Sequence, residues 1–167
     1  MDKSVNTFAK KHGLTDKLVV MYSGNLGLTH DIESIVHTAV YLKSNSNIHF
    51  VIIGDGAKKA KIAEYVKEKQ LSNVLMLPYQ DNDILPYSLS CADIGVVTLS
   101  QGAETISVPS KTYYTLAAGS VILALASNES ELGVLIKAHQ CGKVFENPEI
   151  KEVAAFIENL VEDKNAL

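Results

Sequence analysis

The sequence is poor in cysteine, in basic clusters and in long apolar runs, and each shortage removes a class of protein. Two cysteines, Cys91 and Cys141, occur in 167 residues, with no Cys-x-x-Cys spacing. They support neither a disulfide framework nor a thiolate metal site, and they fit a reducing, cytoplasmic compartment. No run approaches the roughly 20 apolar residues of a membrane span. The longest one near a strand is "VILALA". The opening "MDKSVNTFAKKHG" has no long apolar region either, so it does not read as a secretory signal, and it stands as a candidate fragment boundary. The histidines at 12, 30, 37, 49 and 139 fall at no metal-ligand spacing, so no bound metal is expected. Blocks of like charge are also missing, and the net charge is −4. The densest basic segment, "KKAKIAEYVKEK", is interleaved with acids and reads as a solvated helix face. A nucleic-acid partner is therefore not expected.

What is present is globular: 47% hydrophobic and 20% charged residues. A chain of this length forms one domain and buries roughly 70% of its unfolded surface. Periodicity predicts strands over 17–23, 48–54, 73–77, 93–99, 120–126 and 142–146. Between them fall helical patterns. Ile32, Ile35, Val36, Ala39 and Val40 recur at the spacing of a helix face packed on a sheet. A charged helix is predicted over about 57–70. A short one lies in "DNDILPYSLSCA", with Asp81 or Asn82 as its cap and Pro86 in its first turns. A helix opens on "PSK" and runs to Ala118, another spans 129–139 with Asn128 as its cap, and the last carries Ile150, Val153, Ala154, Ile157, Leu160 and Val161 on one face. Strands alternate with helices and are apolar on both faces. That pattern predicts an α/β fold: a doubly wound, Rossmann-like parallel sheet of about six strands.

In such a sheet the ligand crevice lies at the carboxyl ends of the strands, near the topological switch point. The first strand is followed by "SGNLGLTH", with Gly24 and Gly27. Glycine permits a sharp turn and close approach of a bound group, and a following helix start suits a phosphate. The loop has no Lys or Arg, and a tight turn explains it equally well. "GDG" (54–56) reads more simply as a strand-to-helix turn. The loop "SQGAETISVPSK" is long for such a connection. Pro109 suits a first helical position, which puts Ser110 and Lys111 in the first turn. A lysine there opposes the helix dipole, so an anion that it meets explains it better than chance. Two helix starts and Lys111 are then expected to converge on one diphosphate.

Taken together, "VVMYSGNLG", "FVIIGDGAKKAKI", "NVLMLPY", "CADIGVVTL" and "VPSKTYYTLAAGSVILA" resemble the carboxyl-terminal domain of GT-B, family-4 glycosyltransferases. The resemblance is to the branch that builds bacterial capsule, O-antigen and colanic acid sugars, and it covers residues 17 to 163. It implies one half of a GT-B fold that holds a nucleotide-diphosphate sugar, UDP-linked by expectation, with no bound metal and retention of anomeric configuration. An amino-terminal acceptor-binding domain would be the partner, a lipid-linked acceptor at the inner membrane surface one expectation, and peripheral attachment to the cytoplasmic membrane through that missing domain another. The domain alone is expected to be inactive. Under this resemblance Gly24, Asn25, Gly27, His30, Tyr79, Ser110, Lys111 and Tyr114 are candidate donor-binding residues. Lys111 and Glu104 are the candidate catalytic ones.

The chain departs from the family pattern in two ways. The Arg and Lys that many members place in or after the glycine loop are absent, and Lys111 is the natural replacement. Of the two family glutamates seven residues apart, the second falls on Tyr114 and the first near Ile106, with Glu104 the only carboxylate nearby. A phenol cannot accept from two ribose hydroxyls as a carboxylate does. A degenerate, non-catalytic domain and a nucleotide-sugar epimerase of similar architecture therefore stay open as alternatives.

Overall fold

The structure, a computed structural model, describes residues 1–99 and 108–162. In chain order the elements are α1 (Thr7–His12), β1 (Leu18–Ser23), α2 (Glu33–Tyr41), β2 (Ile48–Ile53), α3 (Lys59–Glu68), β3 (Val74–Leu77), α4 (Leu85–Leu89), β4 (Ile94–Thr98), α5 (Ser110–Ala117), β5 (Val121–Leu125), α6 (Glu131–His139), β6 (Gly142–Phe145) and α7 (Ile150–Glu162). The strands form one parallel sheet in the order β3-β2-β1-β4-β5-β6. The order reverses between β1 and β4, which is the switch point of a doubly wound sheet. The strands at and beside this point, β1, β2 and β4, are buried almost throughout. Edge strand β3 is half-buried along its whole length. Among the described residues no helix is long and apolar enough to cross a membrane.

Helices cover both faces. On one, Ile35, Val36 and Ala39 of α2, Ile62 of α3 and Val153, Ile157 and Leu160 of α7 pack against Val20, Tyr22, Phe50, Ile52 and Val96. On the other, Phe8 and Ala9 of α1 lie with Val19, Met21, Val51 and Ile53, and Leu132 and Ile136 of α6 lie with Val97, Ile122 and Ala124. α5 approaches the sheet closely over Gly95, where a Cβ would sit 2.8 Å from the Thr115 hydroxyl. That glycine sets how near α5 comes to β4 beside the switch point.

Three local features differ from the sequence reading. α1 is absent from that reading because six residues hold too little periodicity to register. Asn6 caps it, accepting from the Ala9 N–H at 3.0 Å, and Gly13 ends it at φ 67°. The cap of α6 is Ser130 and not Asn128: Ser130 Oγ accepts from Gly133 N–H at 3.0 Å, while Asn128 is hydrogen-bonded to Glu146 through both its backbone N–H and its side-chain amide. α4 has no side-chain cap. Asp81 contributes through its carbonyl instead, accepting from the N–H groups of Ile84 and Leu85 at 2.9 Å.

Candidate functional site

At the carboxyl edge of the sheet, two glycine turns touch. Gly24 ends β1 at φ 150° and Gly54 ends β2 at φ 145°. A Cβ on Gly54 would collide with the carbonyl of Gly24. The turns are tied together further by Gly24 N–H donating to Ile53 C=O at 2.9 Å and Leu26 N–H to Asp55 C=O at 2.8 Å. Gly27 serves differently. It has no positive φ, and a side chain there would meet the Asn25 amide at 2.9 Å. Asn25 is exposed, with its Oδ1 2.7 Å from where a Cβ on Gly56 would lie.

Lys111 reaches this turn from α5, on the opposite side of the switch point. Its ammonium lies 2.5 Å from the position of a Cβ on Gly24, so it packs directly over the bare glycine. It donates to the Tyr22 hydroxyl at 2.8 Å and sits 4.2 Å from the centre of that ring. Tyr22 in turn donates to the Asn25 carbonyl at 2.6 Å. The lysine has no carboxylate partner among the hydrogen bonds and ion pairs of the described residues. Burial therefore pushes its pKa down to about 8. Burial also raises the Tyr22 hydroxyl to about 12, with the Thr98 hydroxyl acting in the opposite sense. The site holds a cation that its protein neighbours solvate poorly, and a ligand anion would correct that.

His30 closes the same cluster. Its Nδ1 is hydrogen-bonded to Thr98 Oγ1 at 2.9 Å, at the end of β4. Its pKa is lowered by burial first, and then by the charges of Lys111 and Lys58. Its carbonyl accepts from Lys58 Nζ at 2.6 Å, and Lys58 is also paired with Glu33 at 2.7 Å.

The two helix starts expected to converge on one anion are not equivalent. The α2 start is closed by a carboxylate, since Asp31 Oδ1 accepts from the Ser34 N–H at 3.0 Å. Among the described residues the start of α5 has no side-chain cap. Pro109 is its N-cap rather than its first residue, which makes Ser110, exposed, the first helical position.

From Gly24 and Lys111 a cleft of about 270 Å³ runs between α4 and α5. Tyr79 and Gln80 line it after β3, Tyr114 lines it from α5, and Leu85, Leu89 and Val96 form apolar wall. Tyr79 and Tyr114 are both more than half exposed, at 55% and 58%. A second hollow, of about 640 Å³, opens over the ends of β5 and β6 beside Thr29, Asp31, Ser127 and Glu146. Four of the sequence-predicted residues, Gly24, Tyr79, Lys111 and Tyr114, therefore line one cleft, and Asn25, Gly27 and His30 pack in the adjoining loop. Glu104 lies outside the described residues. The sequence reading missed Tyr22 and Thr98, which carry most of the polar contacts. A tyrosine near the end of an otherwise aliphatic buried strand was the available signal, because its hydroxyl must find a partner.

The topology and the crevice at its switch point place the protein in the Rossmann-like α/β class. More narrowly, the chain belongs to the family of glycosyl transferases group 1, whose model matches residues 4–167. It is 31% identical over 152 residues to the putative colanic acid biosynthesis glycosyl transferase WcaI of Escherichia coli (strain K12), an alignment covering 90% of this chain and 37% of that protein. The crystal structure of Anabaena Alr3699/HepE in complex with UDP matches with a TM-score of 0.80 at 15% identity, over 99% of this chain and 44% of that one. The structure of the C-terminal domain of the glycosyl transferase group 1 family protein LpcC from Francisella tularensis matches with a TM-score of 0.72 at 15% identity, over 99% of this chain and 90% of that one. These structural likenesses establish the shared GT-B-type fold. The chain spans about a third of the length of the curated relatives it matches.

Proposed function

We propose that this chain is the carboxyl-terminal, donor-binding domain of a retaining family-4 glycosyltransferase of cell-surface polysaccharide synthesis. The donor is a nucleotide-diphosphate sugar, UDP-linked, that transfers a hexosyl or N-acetylhexosaminyl group. Its diphosphate lies between the Gly24 turn, the open start of α5 and Lys111. The nucleoside occupies the cleft beside Tyr79 and Tyr114. As the donor's glycosidic bond breaks, negative charge grows on the leaving diphosphate. A pre-placed ammonium and backbone N–H groups stabilise that charge without a metal. Transfer requires an acceptor-binding domain from the remaining two thirds of such an enzyme, so the chain alone binds donor without turning it over. A cytoplasmic site of action and a lipid-linked acceptor at the inner membrane surface complete the proposal.

The observation behind it is the position of Lys111: a cation without a carboxylate partner among the described residues, reaching from one side of the switch point to lie over a glycine on the other. The likeness to Alr3699/HepE, which has been solved with UDP and with UDP-glucose, supports the choice of ligand. Calorimetry of the chain with UDP tests the proposal. Binding is expected, and Lys111→Ala is expected to weaken it roughly ten- to a hundredfold, the worth of one charge-assisted hydrogen bond. No heat and no thermal shift with UDP would overturn it.

A further inference from the structure

The wall of the cleft indicates how the nucleoside is read. Tyr114 stands one helical turn along α5 from Lys111. Residues at this i, i+3 spacing lie about 5–6 Å apart on one helix face. If Lys111 meets the diphosphate, the group attached next to it, the ribose, comes to Tyr114. A phenol offers one hydroxyl, where a carboxylate offers two oxygens to a pair of neighbouring ribose hydroxyls. Among the described residues that line the cleft there is no Asp or Glu. Of the carboxylates nearby, Asp55 accepts from Lys59 at 2.6 Å and from Gly56 N–H at 2.8 Å, Glu33 accepts from Lys58 at 2.7 Å, and Asp81 and Asp83 follow Gln80 without lining the cleft. What the cleft does offer is two exposed phenol rings over an apolar floor. Stacking on such rings depends on the base and is indifferent to a hydroxyl at the 2′ carbon.

We propose that this site does not discriminate against 2′-deoxyribose, so that 2′-deoxyribonucleoside diphosphate sugars are donors alongside the ribonucleoside ones. Tyr114 is the residue that sets this tolerance. The inference rests on the donor-binding reading above, and it adds a substrate class to that reading.

The test compares UDP with 2′-deoxy-UDP by calorimetry on this chain, since the two differ by a single hydroxyl. Dissociation constants within about fivefold of each other support the inference, because a lost hydrogen bond to a charged acceptor is worth about tenfold or more. A larger preference for UDP overturns it and leaves the donor-binding reading intact. If neither nucleotide binds, the donor-binding reading itself falls, and this inference with it. Tyr114→Glu supplies the second measurement, and the exposure of the side chain makes the variant compatible with folding. It is expected to create a preference for UDP of about tenfold or more. An unchanged ratio would show that Tyr114 does not face the ribose, and would overturn the assignment.

Discussion

Lys111 and Tyr22 are 89 residues apart in sequence and joined by a 2.8 Å hydrogen bond and a cation–π contact across the switch point. Tyr22 belongs to the core on the α2 face, while Lys111 arrives on α5, which packs on the opposite face over Gly95. The contact is the point where the two halves of a doubly wound sheet meet. It also leaves the ammonium only partly compensated among the described residues, because its partners there are a neutral hydroxyl and a ring face.

That arrangement predicts a trade of stability against binding. Lys111→Met keeps a long flexible side chain over the Tyr22 ring and removes the half-buried charge. The Tyr22 hydroxyl still donates to the Asn25 carbonyl, so no buried group is orphaned. The melting temperature at neutral pH is expected to hold or to rise by a few degrees, on a scale of about 2–4 °C per kcal/mol for a domain of this size. Affinity for UDP should fall in the same variant. Scanning calorimetry with and without UDP reads both effects, and a fall in both would mean that the ammonium is structural.

The depressed pKa of Lys111 gives the binding a pH dependence. The folded chain releases this proton near pH 8, while the unfolded chain holds it to about 10.5. The penalty for burying the charge is therefore present in full below pH 8. It is relieved as pH rises from 8 towards 10.5, because the unfolded state binds more protons in that window. A diphosphate has the reverse interest, since it favours the charged lysine. UDP affinity should be flat from about pH 7 to 8 and then fall by up to about tenfold per unit above it. Near pH 8.5 binding should take up about three quarters of a proton, seen as a dependence of the measured heat on buffer ionisation. Lys111→Met should abolish both effects.

The glycine turns make a separate prediction about the scaffold. Gly54→Ala puts a methyl group into the Gly24 carbonyl, backbone against backbone, at a φ that L-residues avoid. Gly119 also has a positive φ, of 79°, but nothing lies within 4 Å of a Cβ there. Gly119→Ala should therefore cost about 1 kcal/mol through strain alone. Gly54→Ala should cost at least about twice that and should distort the Gly24 turn enough to lose UDP binding. Urea unfolding of the two variants isolates the clash from the shared strain. Equal losses would mean that the two turns do not touch in solution.

The sheet was readable from sequence because its signals are local and repeated: apolar strands, amphipathic helices and glycine turns at regular intervals. The position of Lys111 was readable for a similar reason, as a cation in a helix's first turn needs an explanation. The contacts that give the site its character were not readable. Tyr22 signals only that its hydroxyl needs a partner and Thr98 looks like an ordinary strand residue, and their roles exist only once β1, β4 and α5 are assembled. Caps failed where two candidates stood close together, as with Asn128 and Ser130. The residue two positions nearer the helix took the bond, and the other was drawn to Glu146 on a neighbouring strand end. α1 failed for its length, and its best signal was an Asn and a Gly seven residues apart.

That same Asn6 supports the last prediction. It is fully buried and works in two directions. Its Oδ1 caps α1 at Ala9 N–H, while its amide donates to the Tyr87 carbonyl at 2.8 Å and to Ser90 Oγ at 3.2 Å in and beside α4. One side chain thereby fixes the N-terminal helix to the helix that forms a wall of the candidate nucleoside cleft. Asn6→Ala removes the cap and leaves the Tyr87 carbonyl without this donor. A loss of about 2 kcal/mol is expected, near the upper end for a cap because the site excludes water. Asn6→Asp keeps the cap oxygen but exchanges the amide donor for a buried carboxylate. It should lose as much at neutral pH and recover part of the loss in acid, where the protonated group can donate again. Denaturant melts of both variants at two pH values check this. A pH-independent loss in Asn6→Asp would mean that the amide contacts to α4 contribute little.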